Sequence, residues 1–109
     1  MRLNARKLIL VILCLFVSAA LCTSAIAQDN AALYKTKCAS CHAADGSGNT
    51  PVGTKLGVKA FAAPEVAKHT NAEWTEITKK GQGKMPSYDG KLSEDQIKDL
   101  IKFCRSLVK

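Results

Sequence analysis

The sequence predicts a small all-α domain, and three features of the chain support that prediction. No segment alternates apolar and polar residues with the period of two that is typical of strands. The C-terminal segment instead repeats apolar residues at three- and four-residue spacing behind a helix-capping serine. At 109 residues, the chain is long enough for only one domain, which excludes a large enzyme with a separate substrate domain.

The first 27 residues have the pattern of a cleaved secretory signal peptide. A basic start precedes fourteen residues, Leu8 to Leu21, that are apolar except for one serine. The small residues Ala25 and Ala27 then match a signal peptidase site. The apolar run is shorter than the roughly 20 residues of a membrane-spanning helix. We therefore predict cleavage after Ala27, with an uncleaved anchor as the alternative, and residues 28–109 as the domain.

Removal of the signal peptide changes the balance of the composition. The chain as a whole carries a net charge of +7, and the remaining 82 residues carry +4 with only 18 large apolar residues. A domain this small buries a modest share of its surface and usually needs a disulfide, a metal or a cofactor to stay folded. The low charge and the absence of a basic run argue against nucleic acid as a partner.

The helices before the C-terminal one are short and are predicted from helix formers, capping residues and Gly-rich breaks. In chain order, we expect a helix over residues 30–41, a loop from Asp45 to Gly57, a short helix from Pro64 to Lys68, a helix capped by Asn71 that runs through Thr78 or Lys80 and stops at Gly81, and a second loop from Gly81 to Gly90.

The last helix is the clearest element of the sequence. Ser93 and Gln96 have the spacing of a capping box, in which each side chain bonds to the backbone of the other residue. Arg105 and Lys109 suit the negative end of the helix dipole. The residues expected on its apolar stripe are Ile97, Leu100, Ile101, Cys104, Leu107 and Val108.

The segment Cys38-Ala39-Ser40-Cys41-His42 is the strongest chemical signal in the chain. Two thiols three residues apart on a helical turn can form thioethers with the two vinyl groups on one edge of a haem. The histidine that follows is then placed as an axial ligand of the iron. Cys-x-x-Cys-His is the signature of covalent haem attachment.

Three other uses of this segment remain open from the residues alone. A zinc site would need two more ligands at suitable spacing, and only His69 and Cys104 remain. A thioredoxin-like redox pair expects a βαβ context, which this sequence does not predict. A structural disulfide between Cys38 and Cys41 would leave the adjacent His42 unexplained.

Met85 is the candidate for the second axial ligand. It lies in the loop Gly81-Gln82-Gly83-Lys84-Met85-Pro86, whose glycines let the backbone approach a flat cofactor closely. The alternative roles are a core-filling methionine for Met85 and His69 as the ligand in its place. His69 also has a simpler interpretation as a surface or capping residue between Lys68 and Thr70.

The domain resembles the small mono-haem class I cytochromes c of bacterial periplasms and thylakoid lumens over nearly all of its 82 residues. The haem-binding signature carries most of the resemblance. Tyr34 and Phe103 match the aromatic residues of the crossing N- and C-terminal helices, and Pro51 matches the loop proline whose carbonyl accepts a hydrogen bond from the proximal histidine. The resemblance implies a small cytochrome c fold with short helices and loops around one covalent haem c, and Met85-Pro86 as its sulfur ligand and following proline.

Three further side chains each have two interpretations. Cys104 is a buried, inert thiol or an odd thiol able to link two chains in an oxidising compartment. Trp74 is a core aromatic residue or a donor to a haem propionate, and Tyr88 carries the same ambiguity.

The function that we expect is soluble electron transfer on a haem ligated by His42 and Met85, without enzymatic activity. A labile Met85 would instead allow a gas-binding or peroxidase-type enzyme, and a haem-less binding module is the third hypothesis. We expect an exported monomer in the periplasm, rather than the thylakoid lumen, without stable membrane insertion after cleavage. Its partners would be redox proteins with acidic docking surfaces, steered by lysines if these ring the haem edge rather than forming a generally solvated surface. These lysines are Lys35, Lys37, Lys55, Lys79, Lys80 and Lys84.

Overall fold

The all-α prediction is confirmed by the computed structural model, which describes residues 4–109 and, within them, the side chains of 4–14 and 29–109. This part of the chain contains no strand, only two isolated bridges between Gln82 and Met85 and between Asp89 and Leu92. Its helices are α1 (Ala5–Lys37), α2 (Ala39–His42), α3 (Pro51–Leu56), α4 (Pro64–Ala67), α5 (Asn71–Lys80) and α6 (Glu94–Ser106).

Helix α1 passes through the predicted cleavage site after Ala27. Its first part exposes the large apolar residues from Leu8 to Leu13, each at least 44% exposed. The start of the signal peptide, residues 1–3, and the side chains of residues 15–28, which include the cleavage site, lie outside the described part, so the signal peptide stays a prediction. No helix within the described residues is both long and apolar enough to span a membrane.

The helix predicted over residues 30–41 is interrupted at Cys38. This residue adopts φ −122° and ψ −37°, so α1 ends at Lys37 and the single turn of α2 starts at Ala39. The chain then turns sharply at Ala43, whose φ is +66°. The Tyr34 hydroxyl donates a 2.6 Å hydrogen bond to the Ala43 carbonyl. A tertiary contact thus fixes the turn, which the helix propensity of the segment could not reveal.

The prediction of a loop from Asp45 to Gly57 was wrong for its second half, where α3 forms. Thr50 caps this helix by accepting a 2.8 Å hydrogen bond from the Gly53 backbone. Pro51 occupies the first helical position, where its missing N–H costs nothing. Gly57 closes the helix in the left-handed conformation with φ +69°. Pro51 and Gly57 are therefore helix boundaries, whereas Gly46 and Gly48 lie in the loop before α3.

Helix α4 confirms the short helix predicted from Pro64. Helix α5 includes Asn71, the residue that was predicted to precede it as the N-cap. Thr70, not Asn71, is the N-cap of α5, and with Glu73 it forms a capping box. Asn71 instead uses its side-chain oxygen to accept a hydrogen bond from Arg105. The end of α5 at Lys80 and the stop at Gly81, with φ +78°, agree with the prediction.

Helix α6 supplies most of the hydrophobic core. Ser93 caps it, and the Gln96 side-chain oxygen accepts the predicted hydrogen bond from the Ser93 N–H at 2.9 Å. Four residues of the predicted stripe are buried, and Leu107 and Val108 pack against them half-buried. The buried cluster consists of Tyr34, Phe61, Trp74, Ile97, Leu100, Ile101 and Cys104.

Arg105 ties α6 to the segment between α4 and α5. Its guanidinium donates to the carbonyls of Ala67 and His69 and to the side chain of Asn71. It also lies 3.8 Å from the centre of the Trp74 ring, in cation–π geometry. The sequence predicted a residue that only complements the helix dipole, whereas the structure shows a cross-link between distant parts of the chain.

Candidate haem site

One helical turn brings together three of the four predicted site residues. The N–H groups of Cys41 and His42 both donate to the Cys38 carbonyl, at 3.2 Å and 3.0 Å. Both thiols are half-buried at the edge of the core. Burial, with a smaller contribution from Cys41, raises the pKa of Cys38 to about 11. At neutral pH Cys38 is therefore a protonated thiol in the metal-free protein.

His42 is a half-buried, neutral imidazole. Burial lowers its pKa, because a charged imidazolium loses hydration in this position. The ring stacks on Phe61 with the centroids 4.9 Å apart and the planes inclined by 26°. Neutral imidazole is the form in which histidine binds metals.

The Nδ1 atom of His42 is buried, and none of the residues that the structure describes forms a hydrogen bond with it. The resemblance implied that the Pro51 carbonyl would accept from this atom. Pro51 begins α3, and within the described residues no hydrogen bond joins its carbonyl to His42 Nδ1. A neutral, half-buried imidazole directly after two thiols on the same turn fits a histidine that serves as a haem ligand.

Helix α3 presses against the turn that carries the thiols. The Thr50 hydroxyl donates a 2.7 Å hydrogen bond to the Ser40 carbonyl while it caps α3. Gly53 approaches the Cys41 carbonyl so closely that a Cβ atom there would collide with it. On the other side, the Gly48 N–H donates to the His42 carbonyl at 2.8 Å. We call residues 38–42 the attachment turn. It is thus held by the segment that follows it in the chain.

Tyr34 and Phe103 meet where the N- and C-terminal helices cross, as the resemblance implied. Their ring centres are 5.2 Å apart, and Tyr34 is only 2% exposed. Burial, reinforced by neighbouring Cys104 and Cys38, raises the pKa of the Tyr34 hydroxyl. Its hydrogen bond to Ala43 fixes the residue directly after His42, so the helix crossing also positions the site.

Met85 lies on a tight turn of the second loop, away from the other three residues in the chain. Its N–H and carbonyl pair with the carbonyl and N–H of Gln82, at 2.9 Å and 3.1 Å. Three residues later, the Tyr88 hydroxyl donates a 2.9 Å hydrogen bond to the carbonyl of Lys37, the residue before Cys38. The Met85 loop is thereby tied to the attachment turn, although the identification of Met85 as a ligand still rests on the sequence.

The remaining candidates take structural roles. Cys104 is 6% exposed, and burial raises its pKa to about 12, which agrees with a buried, inert thiol. The Trp74 indole N–H donates to the Val66 carbonyl at 3.2 Å, so Trp74 is a core aromatic residue. His69 lies at the surface with Nδ1 3.5 Å from a Glu73 carboxylate oxygen. These contacts favour the structural interpretation of all three.

Two residues of the site were missed by the sequence analysis. Phe61 contacts His42, and Thr50 connects α3 to the attachment turn. A threonine directly before a proline is a recognisable helix start, so Thr50 could have been found. Phe61 stands alone between alanines, and nothing in its neighbourhood in the sequence connects it with His42.

Comparisons with known proteins place the chain among c-type cytochromes. The family model described as cytochrome c oxidase, cbb3-type, subunit III matches residues 25–103. Among solved structures, the KustC0563 c-type cytochrome is similar to this chain at 30% sequence identity with a TM-score of 0.67. The similarity covers 73% of this chain and 98% of that one. No curated protein matches the chain.

Proposed function

This chain belongs to the cytochrome c family, whose members carry electrons on haem, and from that premise we propose that it is an exported single-electron carrier with His42 and Met85 as the axial ligands. Cys38 and Cys41 would hold haem c through two thioethers. The bound iron supplies a reversible change between the ferric and ferrous states. The observation that carries the proposal is the single turn that presents both thiols and the neutral imidazole of His42.

The chain's own residues have two tasks in such a carrier. They hold the ligands in place through both oxidation states, and they keep water from the iron. Tyr34, Thr50 and Tyr88 perform the first task, since each donates a hydrogen bond to a carbonyl within two residues of Cys38, Cys41 or His42. Phe61 contributes to the second by covering a face of His42. A thioether from Met85 would favour ferrous iron and raise the potential.

The absorption spectrum of protein matured with the haem-attachment machinery tests this proposal. We expect a low-spin spectrum with the weak red band of a ferric iron–methionine bond and no response to carbon monoxide. A high-spin spectrum that shifts with carbon monoxide would contradict the proposed ligation and favour the gas-binding or peroxidase-type enzyme. A colourless product would favour the haem-less module.

We also infer that the redox partners present acidic surfaces to the edge of the attachment turn. Lys37 precedes Cys38, and its carbonyl accepts from Tyr88, while the Lys91 ammonium lies 5.9 Å above the Tyr88 ring. Both lysines are exposed. Lys80, by contrast, pairs with Glu76 at 3.0 Å, which weakens its contribution. Positive charge beside the attachment turn would steer an acidic protein toward the haem.

Stopped-flow electron exchange with an acidic redox protein measures this steering. We expect the second-order rate to fall as ionic strength rises, and Lys37→Glu to lower it at low salt. Lys102→Glu is the matched control, because Lys102 is ion-paired with Asp99 on α6 and the exchange rate should stay close to that of the unchanged protein. Equal effects of the two substitutions would contradict a docking role for the lysines at the attachment turn.

We further propose that the signal peptide directs export to the periplasm, where covalent attachment of the haem and a monomeric carrier are both expected. The exposed apolar start of α1 supports this, because such a segment is costly in water and suits a sequence that is removed. Mass spectrometry of the purified protein measures the N-terminus. A mature chain that begins at Gln28 is the expected result, and a retained Leu8–Leu13 segment would contradict it.

A further inference from the structure

The Met85 loop, residues 81–90, is folded back on the end of α5. Gly81 follows this helix with φ +78°, and a Cβ atom there would lie 2.8 Å from the Met85 carbonyl oxygen, so the loop passes directly over the glycine backbone. Further along the loop, the Ser87 hydroxyl donates a 2.7 Å hydrogen bond to the Lys79 carbonyl of α5. The candidate ligand Met85 is therefore carried by a unit that consists of α5 and the loop.

Tyr88 is fixed within this unit by its backbone. Its N–H donates to the Thr78 carbonyl of α5 at 3.2 Å. Its carbonyl accepts from the N–H groups of Lys91 and Leu92 at 3.0 Å and 3.1 Å. The ring is half-buried and packs against the hydrophobic core. The Tyr88 side chain thus extends from an anchored residue rather than from a free part of the loop.

The Tyr88 hydroxyl reaches from this unit to the other side of the candidate site. It donates a 2.9 Å hydrogen bond to the carbonyl of Lys37, a residue 51 positions away in the chain. Lys37 is the last residue of α1 and directly precedes the attachment turn. One hydroxyl therefore joins the loop that carries the first candidate axial ligand to the base of the turn that carries the second.

We propose that the Tyr88 hydroxyl is a positioning group that holds the Met85 loop against the attachment turn and thereby sets how readily an external ligand replaces Met85 on the iron. This inference rests on the proposed function, in which Met85 is an axial ligand. Tyr88 acts through the position of the loop and does not touch the iron itself.

The physical reason is the cost of opening the loop. A ligand carried by a loop is replaced only when that loop opens locally, and the contacts that tie the loop to its surroundings determine how often it opens. One hydrogen bond of this kind changes an opening equilibrium about two- to tenfold. The Tyr88 hydroxyl would therefore favour the electron carrier over the gas-binding or peroxidase-type enzyme.

Imidazole binding to the ferric haem protein measures how readily Met85 is displaced. The weak red band of the iron–methionine bond reports whether Met85 is bound, and far-UV circular dichroism reports the fold independently. Tyr88→Phe removes the hydroxyl and keeps the ring. Thr36→Val is the matched control, because it removes a hydroxyl beside Lys37 whose hydrogen bonds stay within α1.

We expect Tyr88→Phe to bind imidazole about two- to tenfold more tightly than the unchanged protein. It should also lose the red band at a lower temperature while its helical signal persists. Thr36→Val should leave the imidazole affinity close to that of the unchanged protein. The inference is overturned if Tyr88→Phe has an unchanged affinity, or if both substitutions raise the affinity equally.

Failure of the proposed function would give a different result. If Met85 is not the ligand, the unchanged protein itself lacks the red band. If only the role of Tyr88 is wrong, the unchanged protein shows the band, and Tyr88→Phe matches it in both imidazole affinity and the temperature at which the band is lost.

Discussion

Replacement of both Cys38 and Cys41 by alanine is expected to abolish covalent haem binding and to unfold most of the domain. Only eight hydrophobic side chains are buried among the described residues, and two of these, Ala43 and Cys104, are small. The polypeptide alone therefore has a small core. Chains of this size bury a modest share of their surface and depend on a cofactor or a cross-link for stability. Without the thioethers, the conformational entropy of the chain should outweigh the remaining packing.

Two measurements on the exported protein check this expectation. Haem staining after denaturing electrophoresis should lose its signal, and far-UV circular dichroism should lose more than about half of its helical intensity, because short isolated helices are marginal in water. Cys104→Ala is the matched control, since Cys104 is a buried thiol on α6 and should leave haem attachment intact. A double variant that keeps the staining signal would contradict attachment through Cys38 and Cys41. A double variant that holds no haem and still unfolds in a cooperative thermal transition would contradict a haem-dependent fold.

Features encoded by neighbouring residues were predictable from the sequence. The Ser93 capping box, the stripe on α6 and the stop at Gly81 each depend on residues within one or two helical turns. The Cys38–His42 signature is similarly local, because the chemistry of attachment dictates its spacing. In all these cases, the sequence pattern and the physical interaction occupy the same short segment.

Features that depend on distant contacts were not predictable. Arg105 satisfies the backbone of the segment before α5, and this role requires α6 to lie across that segment. Phe61 contacts His42 only because Gly46 lets the chain return closely enough. The break at Cys38 likewise accompanies the hydrogen bond from Tyr34 to Ala43. A single sequence contains no local signal for such pairs, since each partner looks ordinary in its own neighbourhood.

Helix α3 was missed for a different reason: glycine and proline occur both in loops and at the ends of helices. Both residues favour loops when they occur in the middle of a segment, but they mark helix ends when a proline follows a capping residue and a glycine closes the last turn. Thr50-Pro51 and Gly57 have this second arrangement. The helix matters for function because Thr50, at its start, holds the Ser40 carbonyl of the attachment turn.

Met85→His is expected to lower the midpoint potential by on the order of 100 mV or more, within the roughly 0.8 V span over which axial ligands tune haem proteins. A thioether is a soft donor that favours ferrous iron, whereas a second imidazole favours the ferric state. The loop can present the new side chain, because the backbone pairing of residue 85 with Gln82 does not involve the side chain. Potentiometric titration with optical detection measures the change, and the weak red band of the iron–methionine bond should disappear.

Gln82→His is the matched control for this change. It places an imidazole in the same turn, at an exposed position, and leaves the Met85 sulfur in place. If Met85 is the ligand, Gln82→His should retain both the red band and a potential close to that of the unchanged protein. An unchanged potential in Met85→His would remove Met85 from the iron site. A fall of equal size in both variants would show that any histidine in the loop displaces the native ligand, in which case the potential alone could not identify that ligand and the red band would decide.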